Sequence, residues 1–167
     1  FIPKLKALYP SGFQTTVTVH ALTKRWEGEY RPTHFHGVTT IVTKLFNLIR
    51  PSHVFFGQKD YQQFLVLKQL VKDLDFNVKL NLCRTIREKD GLALSSRNQY
   101  LTPAQRKKSI ILYQALTAGK FLIKKGQLSN KVICNRMRKV AKSMPHVEVD
   151  YMTLCNAQTL EPIRKAK

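Results

Sequence analysis

The sequence predicts an α/β chain in which an open parallel sheet with right-handed crossovers is followed by a smaller α+β unit. Three observations carry that expectation. Strand-like and helix-like segments alternate through the first half, as they do where each crossover between parallel strands is a helix. Past residue 100 the order changes to two helices and one alternating stretch. The composition, 43% hydrophobic and 10% aromatic in 167 residues, suits one packed domain, or one plus part of another, rather than a disordered chain.

Residues 15–22, TTVTVHAL, alternate and are rich in β-branched side chains, which predicts a strand. Residues 36–50 then place Val38, Ile41, Val42, Leu45, Phe46 and Ile49 at helical spacing, and Pro51 stops them. HVFFG, 53–57, is short, continuous and apolar, the pattern of a strand covered on both faces in a parallel sheet. Phe64, Leu67, Leu70, Val71 and Leu74 recur with helical period, and 77–86, NVKLNLCRTI, alternate as a strand. Thr102, Pro103 and Gln105 spell a helix start, with threonine as N-cap, proline at the first helical position and glutamine placed to reach back. Leu112, Ala115, Leu116, Gly119, Leu122 and Ile123 carry its apolar stripe until KKGQLSN ends it. Ile133, Met137, Val140 and Met144 mark a further helix, and 147–154, VEVDYMTL, an alternating strand. The expected division is 1–92 and 93–167.

Lysine and arginine number 29 against 10 acids, a net charge of +19. The excess is uneven, because residues 104–143 hold eleven cations and no acid. Such a segment is either a solvated lysine-rich face or an attraction for polyanions. No stretch approaches the ~20 uncharged apolar residues of a membrane-spanning helix, and the N-terminus lacks the pattern of a secretion signal, so a soluble chain with no membrane partner is expected. Cys83, Cys134 and Cys155 lie far apart with no CxxC pair, which argues against a zinc site or a disulfide framework and for a reducing cytoplasm. The first residue is Phe1 rather than methionine, which suggests a processed start or a piece of something longer.

In an open parallel sheet, ligands collect beyond the carboxyl ends of the strands, where helix N-termini present unpaired amides. Residues 57–63 occupy such a place. Gly57 lets backbone approach a ligand closely, Lys59 supplies a point charge suited to phosphate, and Asp60 can accept hydrogen bonds from a ribose. The same residues read equally as an ordinary helix start, with Asp60 as N-cap and Gln63 completing a capping box. The eight-residue phosphate-loop pattern is absent. Residues 87–101, REKDGLALSSRNQYL, offer the Ser95 and Ser96 hydroxyls and the Arg97 guanidinium to a polyphosphate, though adjacent serines and an asparagine are also common turn residues. In RPTHFHG, 31–37, Arg31 is an anion contact. His34 and His36 are expected to share a face of an extended segment with no third ligand in view, so no metal site is assigned.

Taken together, RPTHFHGVTTIVTKLFNLIRPSHVFFGQKDYQQ and REKDGLALSSRNQYL closely resemble the pantothenate synthetase family, the pantoate and β-alanine ligases of the nucleotidylyltransferase superfamily; the likeness runs from about residue 9 to residue 162. The resemblance implies a partial Rossmann-like parallel sheet of the HIGH type, followed by a smaller C-terminal α+β domain. It implies ATP-dependent condensation of pantoate with β-alanine. Pantoate carboxylate attacks the α-phosphorus of ATP, giving pantoyl adenylate and pyrophosphate, and the amine of β-alanine then displaces AMP. No protein nucleophile is needed, so catalysis falls to alignment and charge stabilisation by Lys59, Ser95, Ser96 and Arg97, with magnesium. By the same resemblance Gly57, Gln58, Lys59 and Asp60 contact ATP, with Gly57 and Asp60 near the ribose. Ile86 makes a backbone contact to adenine, and Leu94, Ser95, Ser96 and Arg97 form a mobile phosphate-binding signature. Gln63 holds pantoate, and Arg31, His34 and Phe56 line the pocket. A homodimer is implied for the full-length form.

The departures from the family are as informative. Its members open with a strand and an HxGH-type loop whose histidines stabilise the α-phosphate, followed by an asparagine and a glutamine that hold pantoate, and nothing in these residues matches them. The chain therefore reads as a fragment lacking the N-terminal half of the nucleotide-binding domain, incomplete at its other end as well, and inactive by itself. Arg84 stands where the family commonly has proline. Two other readings stay open: a basic nucleic-acid-binding module, whose acid-free segment contains only Tyr113 and Phe121 for stacking, and a noncatalytic remnant that keeps a subunit contact.

Overall fold

The computed structural model describes residues 1–166, and the chain divides into two compact units, Phe1–Arg84 and Thr85 onward. Residues 85–92 group with the second unit, whereas the sequence-based division keeps them with the first.

In the first unit two short turns, α1 (Leu5–Leu8) and α2 (Glu27–Tyr30), precede α3 (His34–Ile49), β1 (His53–Gly57), a 3-10 turn (Gln58–Asp60), α4 (Tyr61–Asp73) and β2 (Lys79–Cys83). The two strands pair in parallel, from His53 opposite Lys79 to Gly57 opposite Cys83, with α4 as their crossover. α3 stops as Pro51 requires: Arg50 takes left-handed backbone (φ 50°, ψ 54°) and donates its N–H to Phe46 O. α4 buries Phe64, Leu65, Val66, Leu67 and Leu70. Val66, Leu67 and Leu70 join Val19 and Phe35 in a core on which Val38, Val42, Phe56 and Leu80 also pack.

Two expectations fail here for identifiable reasons. The strand predicted at 15–22 does not form; among the described residues no neighbouring strand meets it. Instead Val17 N–H donates to Thr40 Oγ1 at 3.0 Å, and Thr39 Oγ1 donates to Val17 O at 2.5 Å. Hydroxyls on α3 thus answer the backbone groups that a ladder would otherwise satisfy. Its alternation nevertheless places Val17 and Val19 on the core. β1, in turn, is covered on one face only: Phe56 packs on the core while Phe55 is 67% exposed. Ile49 and Leu74, the last residues of their predicted stripes, are exposed.

The second unit begins with a tight return in which Arg87 bridges Ala93, followed by a 3-10 turn (Ser96–Tyr100), α5 (Pro103–Ser109), α6 (Ile111–Lys124) and α7 (Asn130–Lys142). The predicted start of α5 is realised in full. Thr102 Oγ1 accepts from Gln105 N–H at 3.3 Å, Gln105 Oε1 accepts from Thr102 N–H at 2.9 Å, and Pro103 holds the first position. The helix breaks at Ile110, and beyond it the predicted stripe holds at Ala115, Gly119, Leu122 and Ile123 but not at Leu112 and Leu116. Ile111, Ala115 and Gly119 are buried, whereas Leu112 and Leu116 are exposed. A Cβ at Gly119 would lie 2.6 Å from Met137 Sδ, so this glycine sets how closely α6 and α7 approach. Ile133 and Met137 are buried on α7 as predicted, together with Cys134 and Ala141. The strand predicted at 147–154 is absent: Met152 joins the core by packing, and the described pairing after α6 consists of two isolated bridges, Cys155 with Pro162 and Ser129 with Lys165. Among the described residues no helix is long and apolar enough to cross a membrane.

Candidate active site

β1 delivers residues 57–63 at its carboxyl end. Gly57 has ordinary extended backbone (φ −75°, ψ 136°), and a Cβ there would meet nothing within 4 Å. Neither conformation nor packing among the described residues calls for glycine at this position. Gln58, Lys59 and Asp60 follow as one exposed 3-10 turn. Lys59 Nζ donates to Asp60 Oδ1 at 3.2 Å, a surface ion pair of small energetic weight that a bound phosphate can replace.

The predicted capping box at this helix start is absent. Asp60 precedes α4, but its carboxylate bonds no helix amide. Because the 3-10 turn runs straight into α4, Asp60 lacks the extended backbone of a capping residue (φ −103°, ψ 54°) and its side chain meets Lys59 instead. Gln63 is consequently released from capping. Half-buried, its amide makes no hydrogen bond among the described residues. Its neighbour is fully used: Gln62 Nε2 donates to Leu22 O at 2.8 Å and Arg25 O at 2.7 Å, and Gln62 Oε1 accepts from Glu27 N–H at 3.2 Å. Sequence reasoning missed Gln62, whose partners lie 35 to 40 residues away and leave no local trace.

The residues expected to line the pocket fall at three places. Arg31 follows α2, where its Nη1 donates to Glu27 Oε1 at 2.8 Å. His34 opens α3 with its ring 5.1 Å from that of Phe35, and Phe56 faces the core. His34 and His36 do not share a face of an extended segment. Both lie within α3, where a spacing of two turns their side chains apart, and His36 Nδ1 lies 3.1 Å from Thr18 Oγ1. Among the described residues no group of three or more His, Cys, Asp or Glu is placed to hold a metal.

In the second unit, Ile86 O accepts from Leu94 N–H at 2.9 Å, while Ile86 N–H has no partner among the described residues. Leu94 is exposed. Ser95 opens the 3-10 turn, its Oγ accepting from Arg97 N–H at 3.2 Å, so for this serine the turn role is real. The Ser96 hydroxyl and the Arg97 guanidinium are exposed and make no hydrogen bond among the described residues. Asn98 Nδ2 donates to Ala93 O at 3.0 Å and ties the turn to the stretch before it. Sequence reasoning also missed Arg106, which reaches back 18 residues to Glu88.

The basic segment is not a uniform cationic face. Arg106 pairs with Glu88 and Asp90, and Arg138 Nη2 donates to Met152 O at 3.0 Å. A groove of about 510 Å³ lined by Arg87, Tyr113, Thr117, Lys120, Phe121 and Lys124 includes none of the expected ATP contacts. The three cysteines are free, and burial raises the Cys155 thiol above its ordinary pKa.

The sequence matches the family described as Pantoate-beta-alanine ligase over residues 1–167. The pantothenate synthetase of Moorella thermoacetica is 47% identical over 165 residues, which cover 99% of this chain and 58% of that protein. That of Acetivibrio thermocellus is 46% identical over 167 residues, 100% of this chain and 59% of that protein. Among solved structures, the pantothenate synthetase from Thermus thermophilus matches with a TM-score of 0.96 at 42% identity, over 99% of this chain and 60% of that one. A pantoate-beta-alanine ligase from Francisella tularensis, complexed with beta-gamma ATP and beta-alanine, matches with a TM-score of 0.67 at 34% identity, over 81% of this chain and 50% of that one. The chain thus spans about three fifths of the length of these curated relatives. With the family matched along all 167 residues, the chain belongs to the pantoate-beta-alanine ligase family.

Proposed function

We propose that these residues carry the part of a pantothenate synthetase that grips ATP and pantoate while pantoyl adenylate forms. The whole enzyme then joins pantoate to β-alanine through a carbon–nitrogen bond, releasing pyrophosphate and AMP. The observation that carries this reading is the set of groups at the end of β1 that the fold holds lightly or not at all: an uncrowded Gly57, a Lys59 kept only by a surface ion pair with Asp60, and an unbonded Gln63. The solved relative complexed with beta-gamma ATP and beta-alanine supports the substrate class.

In the first step a carboxylate oxygen of pantoate bonds to the α-phosphorus, and the bond to pyrophosphate breaks. Negative charge grows on the leaving oxygens, where Lys59, the Ser95 and Ser96 hydroxyls and Arg97 supply cations and donors. In the second step the β-alanine nitrogen bonds to the acyl carbon and AMP leaves. Gln63, with its amide unbonded, holds pantoate in line. Gly57, Gln58 and Asp60 lie along the nucleotide, Leu94 beside the phosphates, and Ile86 N–H is the donor left over for adenine. Arg31, His34 and Phe56 complete the pocket wall. The nucleotide substrate is magnesium–ATP, its cation carried on the phosphates. We further place the full-length enzyme in the cytoplasm as a homodimer, in line with three unpaired cysteines and the family resemblance.

Titrating ATP into the chain by calorimetry tests the reading. Lys59→Ala is expected to weaken ATP binding at least tenfold while denaturant unfolding stays within about 0.5 kcal/mol of the unsubstituted chain, as for an exposed side chain. An equal loss of folding stability would assign Lys59 to structure instead. Because no HxGH motif occurs in these 167 residues, pantoate-dependent pyrophosphate exchange by the chain alone is expected to be nil; robust exchange would overturn that part.

A further inference from the structure

Residues 86–106 form an arch whose two ends are fastened to each other. At the near end Arg87 bridges Ala93, Leu94 N–H donates to Ile86 O at 2.9 Å, and Glu88 N–H donates to Leu92 O at 2.8 Å. That end is itself seated on α6: the Arg87 guanidinium lies 4.5 Å from the centre of the Tyr113 ring, and Gly91, in left-handed backbone (φ +97°), lies flat against the same ring. At the far end, α5 starts from its capping box and presents Arg106 one turn in. Arg106 Nη2 contacts Glu88 Oε2 at 2.6 Å and Arg106 Nη1 contacts Asp90 Oδ2 at 2.8 Å, so the fork commits two nitrogens to two separate carboxylates. Between the fastened ends stand Ser95, Ser96 and Arg97, with the last two side chains unbonded among the described residues.

We propose that Arg106 is a positioning residue: its two-pronged contact with Glu88 and Asp90 closes the arch and holds Ser95, Ser96 and Arg97 in shape before any ligand arrives. The phosphate role of those three residues rests on the function proposed above; the ordering role does not. Two physical effects operate together. Closing the loop removes conformational freedom that binding would otherwise have to remove. The guanidinium also offsets half the charge of two carboxylates that would repel a polyphosphate from the same stretch of chain.

Hydrogen exchange on the unliganded chain reads the ordering directly. The reporters are the amides of Glu88, Leu94, Arg97 and Asn98, each bonded within the arch. Arg106→Ala is expected to speed their exchange about tenfold or more while amides of α6 and α7 keep their rates. Arg106→Lys, able to serve one carboxylate at a time, is expected to fall between. Unchanged exchange in the arch would overturn the proposal, as would equal acceleration throughout α6 and α7, which would mark Arg106 as a general prop. ATP titrations separate the second layer. A loosened arch in Arg106→Ala with ATP affinity unchanged would overturn positioning for a ligand, whereas recovery of affinity in Arg106→Ala/Glu88→Gln/Asp90→Asn without recovery of order would assign the effect to charge alone and overturn it too. An unsubstituted chain that binds no ATP, combined with a loosened arch in Arg106→Ala, defeats the functional reading and supports the ordering role.

Discussion

The two loops that bear the candidate ATP contacts are held in opposite ways. Residues 57–63 leave a strand and enter a helix, so regular backbone on both sides fixes them, and few of their polar side chains are spent on the fold: Gln62 bonds across the unit, Lys59 and Asp60 form a surface ion pair, and the Tyr61 ring stacks on Phe64. Residues 86–101 have no long element of their own. Side chains do the fastening there: Arg87, Asp90, Ser95, Asn98 and Arg106 each bond to a neighbour in the stretch or in α5. A loop hung on regular elements can keep its side chains free, while an irregular one must commit polar groups to itself before any remain for a ligand.

Glycine exposes the contrast most strongly. A Cβ at Gly91 would sit 1.9 Å from Tyr113 Cδ1 in a backbone conformation that other residues avoid, so Gly91→Ala is expected to cost about 4 kcal/mol in denaturant unfolding of the second unit, strain and overpacking adding together. Gly57→Ala, with open space and ordinary dihedrals, is expected to change stability by less than about 0.5 kcal/mol. If both substitutions proved equally harmful, the distinction between the loops would be lost.

The adjacent glutamines give a smaller effect within one loop. Gln62→Ala removes three hydrogen bonds and strands the Leu22 carbonyl and the Glu27 amide, while Arg25 O keeps the Gly28 N–H, an expected loss of about 2 kcal/mol. Gln63→Ala is expected to leave stability within about 0.5 kcal/mol. Parallel urea titrations of the two variants decide it; a larger loss at Gln63 would withdraw that side chain from the ligand and return it to the fold.

The smallest effect is a response to acid confined to the second loop. Hydrogen bonding from Arg106 holds Asp90 below its ordinary pKa of 3.8. A carboxylate depressed in the folded chain contributes its stabilisation above the unfolded value and loses it as pH falls through the folded one. Exchange protection in residues 86–98 is therefore expected to persist through pH 4 and to fade below the usual aspartate range, with α6 and α7 unaffected over that interval. Fading at pH 5 to 6 would mean that another group governs the loop.

Much of the fold was legible because it is written locally. The stripe of α3, the stop at Pro51, the short apolar run of β1 and the Thr102, Pro103, Gln105 signature each depend on residues within a turn or two of one another. The failures share a cause. A strand exists only through its neighbours, so alternation at 15–22 and 147–154 recorded which side chains face a core without guaranteeing a ladder. In α6 the predicted Ala115, Gly119, Leu122 and Ile123 do face the core, but Ile111 takes the place expected of Leu112 and Leu116 is exposed, because the break at Ile110 follows from no single residue type. At the candidate site the motif residues stood out in the sequence. What could not be read was the division of labour among them: which glutamine serves the fold, that Asp60 does no capping, and that Arg106 closes an arch begun 18 residues earlier.

The grip of Thr39 and Thr40 on Val17 has one more corollary. Two consecutive helix positions supply, respectively, the donor and the acceptor that one peptide rung requires, a function normally met by an adjoining strand. With both of Val17's main-chain groups already engaged, that rung has nothing to extend to a passing molecule. The most strand-like stretch of this sequence is, at its centre, disarmed as a template for intermolecular pairing.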